Sequence, residues 1–503
     1  MSLVDLFFLR RGLCLSGVFA LSVTIAGCIS SEGLRPKADA KAAQALVFDD
    51  AVKAARKDAA WPRQDWWQAF GDPQLNAWLA KAMADSPSLA QAEARIRGAM
   101  AVAGLTAGDE SPKLGVDASI KRHKWAKDDF YGPGTLYGAN TWDNSVGLGF
   151  SYVLDFWGRE KNRSEAALNR AQVSVAEGQA VQLALAGQLV RAYIRFSLLY
   201  AEYDVKTALL AQQQHILALV QKRYDGGLGT ELDVTQAQAP IPAMEREMED
   251  LDEQLQLSRN QIAVLAGQSP AAGASLQRPS LNLSQAPAIP DVVPLALVGH
   301  RPDVVASRWQ VASYARDIDA ARADFYPNIN LAASVVLSAV SGNMLDVLSR
   351  DKFTYSAGPV LSLPILDGDT RRDTLAAYSA DYDGAVAHYR QTLLGALEGI
   401  SNQLIRLRSL DKQQSLAAKA VALAQQSYDL TLKAYEGGLS DYLDVLSTEQ
   451  NLFTQKLVVE QLVAARLAAH AGLQVALGGG LLADKDSPSL TQMQPEQEAE
   501  HGH

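Results

Sequence analysis

With 503 residues the chain can bury one large core or several, and its formal net charge is −10. A nucleic-acid partner is disfavoured, because phosphate binding needs a surplus of Lys and Arg. The seven histidines fall at no metal-ligand spacing and neither a glycine-rich phosphate loop nor a serine elbow is present, so neither an enzyme nor a metal or organic cofactor is expected.

The chain opens with Arg10 and Arg11, an apolar run from Leu13 to Ile25, and then Ala26-Gly27-Cys28. A basic start, a short apolar middle and small residues before a cleavage point mark an export signal. The run is short for a membrane span. The position of Cys28 sharpens the reading, since Ile25-Ala26-Gly27-Cys28 resembles a bacterial lipobox. That resemblance implies removal of residues 1–27 and lipidation of Cys28, with palmitate as an acyl chain. Ile29 in place of Asp favours the outer membrane. An ordinary signal peptide that happens to contain a cysteine is the bland alternative. Cys14 leaves with the signal, so the covalent lipid on Cys28 is the one attached group expected.

Residues 28–60 are polar and rich in Ala and Lys, which reads as an extended, lipidated tether. A first repeat follows over 61–267. It begins at Trp61-Pro62 and Trp66-Trp67, passes Phe70-Gly71-Asp72-Pro73, and enters a helix over about 74–107. Period-two alternation then predicts two strands, about 113–123 and 143–154. Leu114, Val116, Ala118 and Ile120 share one face of the first, and Val146, Leu148, Phe150 and Tyr152 one face of the second. The segment between them, with Tyr131-Gly132-Pro133-Gly134, reads as a loop. A Pro-free stretch from Gly158 to Asp225 predicts a helix on the order of 100 Å long, a length typical of coiled coils. After Gly226-Gly227 a second helix of the hairpin 158–266 is expected to kink at Pro240 and Pro242.

Residues 268–294 contain Pro270, Pro279, Pro287, Pro290 and Pro294 and read as a linker between halves. A second repeat over 295–477 follows the same order. It has a helix from Pro302, strands at about 328–339 and 352–364, and a long hairpin over 371–477 that turns at Gly437-Gly438. The tail 478–503 is polar and expected to be disordered.

Strands of about ten residues with one apolar face suit a tilted crossing of a bilayer, where no strand edge is left unpaired. Four strands are too few to close a barrel, so copies of the chain must supply the rest. A dimer gives eight and a trimer twelve, and the larger number leaves an aqueous bore. The fold class is therefore a mixed α and β membrane protein, a trimeric twelve-stranded barrel continued by a long helical coiled coil. The alternative is a soluble sheet packed on helices.

These pieces resemble the TolC-like outer-membrane factors, in particular the lipidated NodT-type channels of tripartite efflux systems. The resemblance spans nearly the whole mature chain. It rests on Trp66-Trp67, Phe70-Gly71-Asp72-Pro73, Leu154-Asp155-Phe156-Trp157-Gly158-Arg159, His300-Arg301-Pro302-Asp303, Phe325-Tyr326-Pro327-Asn328 and Leu363-Pro364-Ile365-Leu366-Asp367-Gly368, with the two hairpin tips. It implies a homotrimer in the outer membrane, partnered by a periplasmic adaptor (membrane fusion) protein and an inner-membrane transporter. It also implies a periplasmic gate at Asp444, Asp233, Tyr435 and Tyr224, and adaptor contact at Gly226, Gly227, Leu228, Gly437, Gly438 and Leu439. Ser447 and Ser440 stand where some members carry an acidic and a basic residue.

The glycine pairs also have a local explanation, since each reverses the chain. Both aspartates count as lying about five residues past their turn, beyond the reach of the helix dipole. The expected function is a passive outer-membrane exit duct for small molecules such as drugs or aromatic compounds. A type I protein-secretion duct and a non-conducting coiled-coil envelope lipoprotein remain alternatives.

Overall fold

The computed structural model describes residues 31, 33–40, 63–127, 136–281, 300–341, 343–480, 488–489 and 491–496. The export signal, Cys28, Trp61-Pro62, the loop at 128–135 and the second half of the Pro-rich joint, from residue 282, lie outside these.

Helix α1 (Pro73–Asp85) starts at Asp72, whose carboxylate accepts from the backbone N–H groups of Gln74 and Leu75, with Pro at the first helical position. It ends at Ser86, and α2 (Pro87–Asp109) begins there. The single helix expected over 74–107 is therefore two. Pro87 lacks the N–H that would continue the ladder and holds Ser86 extended at φ −68°, ψ 124°.

Strands β1 (Lys113–Lys124), β2 (Asn140–Leu154), β3 (Asn328–Ser341) and β4 (Phe353–Ser362) form one antiparallel sheet in that order. Its register carries the alternation across all four strands. Val116 faces Leu148, Leu148 faces Val335, and Val335 faces Tyr355. On the other side Gly115, Gly149, Ser334 and Ser356 stand in one row, with the last two hydroxyls 2.9 Å apart. Directly opposed residues share a face, so one face is apolar and the other is polar and small. The apolar face is open: Leu114, Val116 and Tyr355 are 73%, 69% and 76% exposed.

Two helices of 67 residues leave the sheet, α3 (Arg159–Asp225) after β2 and α7 (Thr370–Glu436) after β4. At the sheet–helix junction the Trp157 ring stacks on Tyr326 at 4.6 Å and its Nε1 donates to the Pro327 carbonyl at 3.0 Å. Arg159 and Arg163 both pair with Asp324 there. The returning helices are α4 (Glu231–Gln238) and α5 (Pro240–Leu265) in the first hairpin and α8 (Tyr442–Ala476) in the second. At the prolines α4 and α5 are separated by the single residue Ala239, whose backbone stays helical at φ −57°, ψ −36° and whose N–H still donates to the Thr235 carbonyl.

Shorter elements pack against the long helices. One core joins Trp66, Phe70, Leu75 and Trp78 to Leu189, Tyr193 and Phe196 of α3 and Ile262 of α5. A second joins α6 (Pro302–Ala323) to Leu375, Tyr382 and Tyr389 of α7. Arg301 donates to the Ala476 carbonyl at 2.7 Å, which satisfies the end of α8.

Two expectations change here. The described part of the tail is docked rather than disordered: Met493 is fully buried, and its carbonyl accepts from the Tyr382 hydroxyl at 2.9 Å. Arg308 donates to the Pro488 carbonyl and Arg316 to the Glu496 carboxylate. The tether is not extended throughout. The Lys37 and Ala38 N–H groups donate to Asp383, and Ala40 is buried. The linker is held part-way along, where the Ser280 N–H donates to Asp72 at 2.7 Å. In each case composition signalled polarity, while fixed backbone donors and acceptors set the outcome.

Candidate functional site

The two turns farthest from the sheet have one geometry. In the first, Gly226 N–H donates to Lys222, Gly227 to Tyr224, and Leu228 to Arg223 at 2.8 Å. In the second, Gly437 donates to Lys433, Gly438 to Tyr435, and Leu439 to Ala434 at 2.8 Å. The glycines at φ +71° and +76° are Gly227 and Gly438, as a Schellman ending requires. Gly226, Gly227, Leu228, Gly437, Gly438 and Leu439 are all exposed, with Leu228 at 74% and Leu439 at 86%. Each tip thus carries an exposed leucine on a hydrogen-bonded turn.

Each turn is followed by a capped helix, and here the reading of the aspartates is corrected. Helix α4 has Thr230 as N-cap and α8 has Asp441, so Asp233 and Asp444 are third residues of the first turn. Both lie within reach of the helix dipole. Asp233 closes a capping box: its carboxylate accepts from the Thr230 N–H at 2.8 Å and the Thr230 hydroxyl at 2.9 Å. It is half-buried and occupied. Asp444 is exposed, its N–H donates to Asp441 at 3.0 Å, and its carboxylate accepts only the Ser440 hydroxyl, at 2.8 Å. The two acids are thus unequal: Asp233 is committed to its cap, and Asp444 is the more exposed.

The tyrosines separate as well. Tyr435 is buried, with the Arg223 guanidinium 4.6 Å above its ring and Arg223 Nη1 donating to its carbonyl at 2.6 Å. That one arginine ties the first tip to the second. Tyr224 is 41% exposed. Behind the tips, Gln213 Nε2 donates to the Ala237 carbonyl and the Tyr442 hydroxyl, both at 2.8 Å, and Gln212 bonds the Tyr428 hydroxyl. Burial pushes Tyr428 up to about 12. Glu449, which sequence reasoning passed over, is wholly buried in the same place. Its signal was available, since it occupies a core position of the α8 stripe.

Residues 78–268 and 293–479 match the outer membrane efflux protein family. The chain belongs to that family. This efflux protein is 36% identical over 490 residues to a fusaric acid resistance protein of Burkholderia cepacia, covering 95% of this chain and 90% of the relative. It is 30% identical to a pyoverdine export outer membrane protein of Pseudomonas aeruginosa, over 86% of this chain and 91% of that one. Among solved structures, the outer membrane protein VceC of Vibrio cholerae superposes with a TM-score of 0.78 at 31% identity, over 84% of this chain and all of that one. The efflux protein resides in the outer membrane and reaches into the periplasm as an exit duct. Its family is one of channels rather than of enzymes.

Proposed function

We propose that three copies close one twelve-stranded barrel and that the hairpins continue it as a tunnel, passively conducting small molecules out of the periplasm. The observation that carries this is the sheet. Its apolar rows are in register across four strands, its apolar face is open, and β1 and β4 are each paired on one side only. Such edges need partners in lipid, and such a face needs lipid. The polar, small-residue face then lines water. The names of the relatives, fusaric acid resistance and pyoverdine export, support small-molecule cargo.

In this reading Asp444 lines the constriction, the exposed Gly-Gly-Leu tips meet a periplasmic adaptor, and an inner-membrane transporter supplies the drive. The lipid on Cys28 anchors the tether. The equal 67-residue lengths of α3 and α7 support two internal repeats. No catalytic step is involved. Planar-bilayer conductance of the full chain tests the duct. A low conductance that rises severalfold in Asp444→Ala is expected, and silence in both proteins would leave a spacer rather than a channel.

A further inference from the structure

The helices behind the tips meet along a seam with one anomalous member. Buried positions on α8 run Tyr442, Val445, Glu449 and Leu452, the three-four-three spacing of a coiled-coil core. Glu449 has no exposed surface, and neither of its carboxyl oxygens has a hydrogen-bond partner. Val445 and Leu452, on either side of it, pack among Ile216 and Val220 of α3, Ala237 of α4, and Ala424 and Tyr428 of α7.

The titratable groups that face it are Tyr428 on α7 and Tyr442 on α8, both of which feel its charge. Helix α3 presents Gln213, whose Nε2 is committed to Ala237 and Tyr442 and whose Oε1 is also without a partner. Helix α4 presents that same Ala237 carbonyl. Burial alone acts on the Glu449 carboxyl, pushing it up to about 7 from its ordinary 4.5.

A polar residue in a coiled-coil core fixes register when it pairs with another. Glu449 pairs with nothing among the described residues, so register is not what it supplies. Neutral, it can stay dry at modest cost; ionised, it cannot, and water or a counter-ion must enter the seam. Helix α8 starts about two turns earlier and carries Asp444 on its first turn. Parting the seam therefore moves the candidate gate.

We propose that Glu449 is a positioning residue for the gate, a wedge whose ionisation parts α8 from α7 and α3 and so opens the tip bearing Asp444. The proposal rests on the gate reading given above. The sign is fixed by the direction of the perturbation. An acid raised on folding supports the closed seam fully below its ordinary value, and that support is lost as pH rises through about 7.

Two measurements on the full-length protein decide it, from about pH 5.5 to about pH 8.5. In hydrogen exchange corrected for the intrinsic pH effect, protection over residues 428–452 falls with rising pH in the wild type and stays flat in Glu449→Gln. In planar bilayers the wild-type conductance rises severalfold over the same range, while Glu449→Gln stays low at every pH. A Glu449→Gln protein that keeps the wild-type pH profile in exchange overturns the proposal, as does a wild-type profile that is flat. If neither the wild type nor Asp444→Ala conducts, the duct reading fails, and the exchange result still rules on Glu449.

Discussion

Asp72 is 2% exposed, and its carboxylate accepts from four donors: the N–H groups of Gln74 and Leu75, the Tyr193 hydroxyl at 2.9 Å and the Ser280 N–H. It caps α1, fixes a tyrosine of α3, and pins the joint between halves near its middle. Burial raises Tyr193 above the ordinary tyrosine range, so that hydroxyl remains a donor at any working pH. Asp72→Ala should lower stability by about 2–3 kcal/mol, since a cap is lost and buried donors are left unpaired. A denaturant melt that moves by less than about 1 kcal/mol would show that water replaces the carboxylate. The motif around Asp72 was visible in the sequence, but its four-way role was not, because two of those partners, Tyr193 and Ser280, depend on distant parts of the fold. Asp444 shows the reverse. Its place near the tip was legible, while its helical position was miscounted, because a cap is defined by backbone geometry that spacing alone does not give.

At the scale of elements, the strands were legible to within about three residues, because period-two alternation with one buried or lipid-facing side leaves little freedom of register. The long Pro-free helices were equally plain. What escaped was the break at Pro87, where helical periodicity continues across a backbone that cannot. The docked tail escaped too, since its composition is polar and its binding comes from carbonyls meeting Arg308 and Arg316. Arg223 is the contact between elements with the clearest consequence, because it alone bonds the first tip to the Tyr435 carbonyl among the described residues. Arg223→Ala should loosen the second hairpin and raise conductance without abolishing assembly. Equal conductance in wild type and variant would show that the tips are held elsewhere. Gly438 at φ +76° belongs to the same turn, and Gly438→Ala should cost about 1–2 kcal/mol of local stability, read as faster amide exchange at Leu439.

At the scale of the whole molecule, two anchors hold the chain to the outer membrane in the proposed assembly: a lipid on Cys28 and the sheet. They are separable. Cys28→Ser should lose acyl labelling yet still fractionate with the outer membrane, because three four-stranded sheets bury far more apolar surface in lipid than acyl chains do. A soluble periplasmic product would show that the lipid, not the sheet, carries the attachment.

The matched lengths of α3 and α7 make the molecule a gauge. One residue added to α3 alone would push its tip out by about 1.5 Å and swing it by about 100°, and Arg223 would no longer meet Tyr435. Lengthening the hairpins therefore requires matched insertions in both arms of each, in near-whole turns. The reach of the duct from its membrane is a quantity that can be altered only by editing the chain in four places at once.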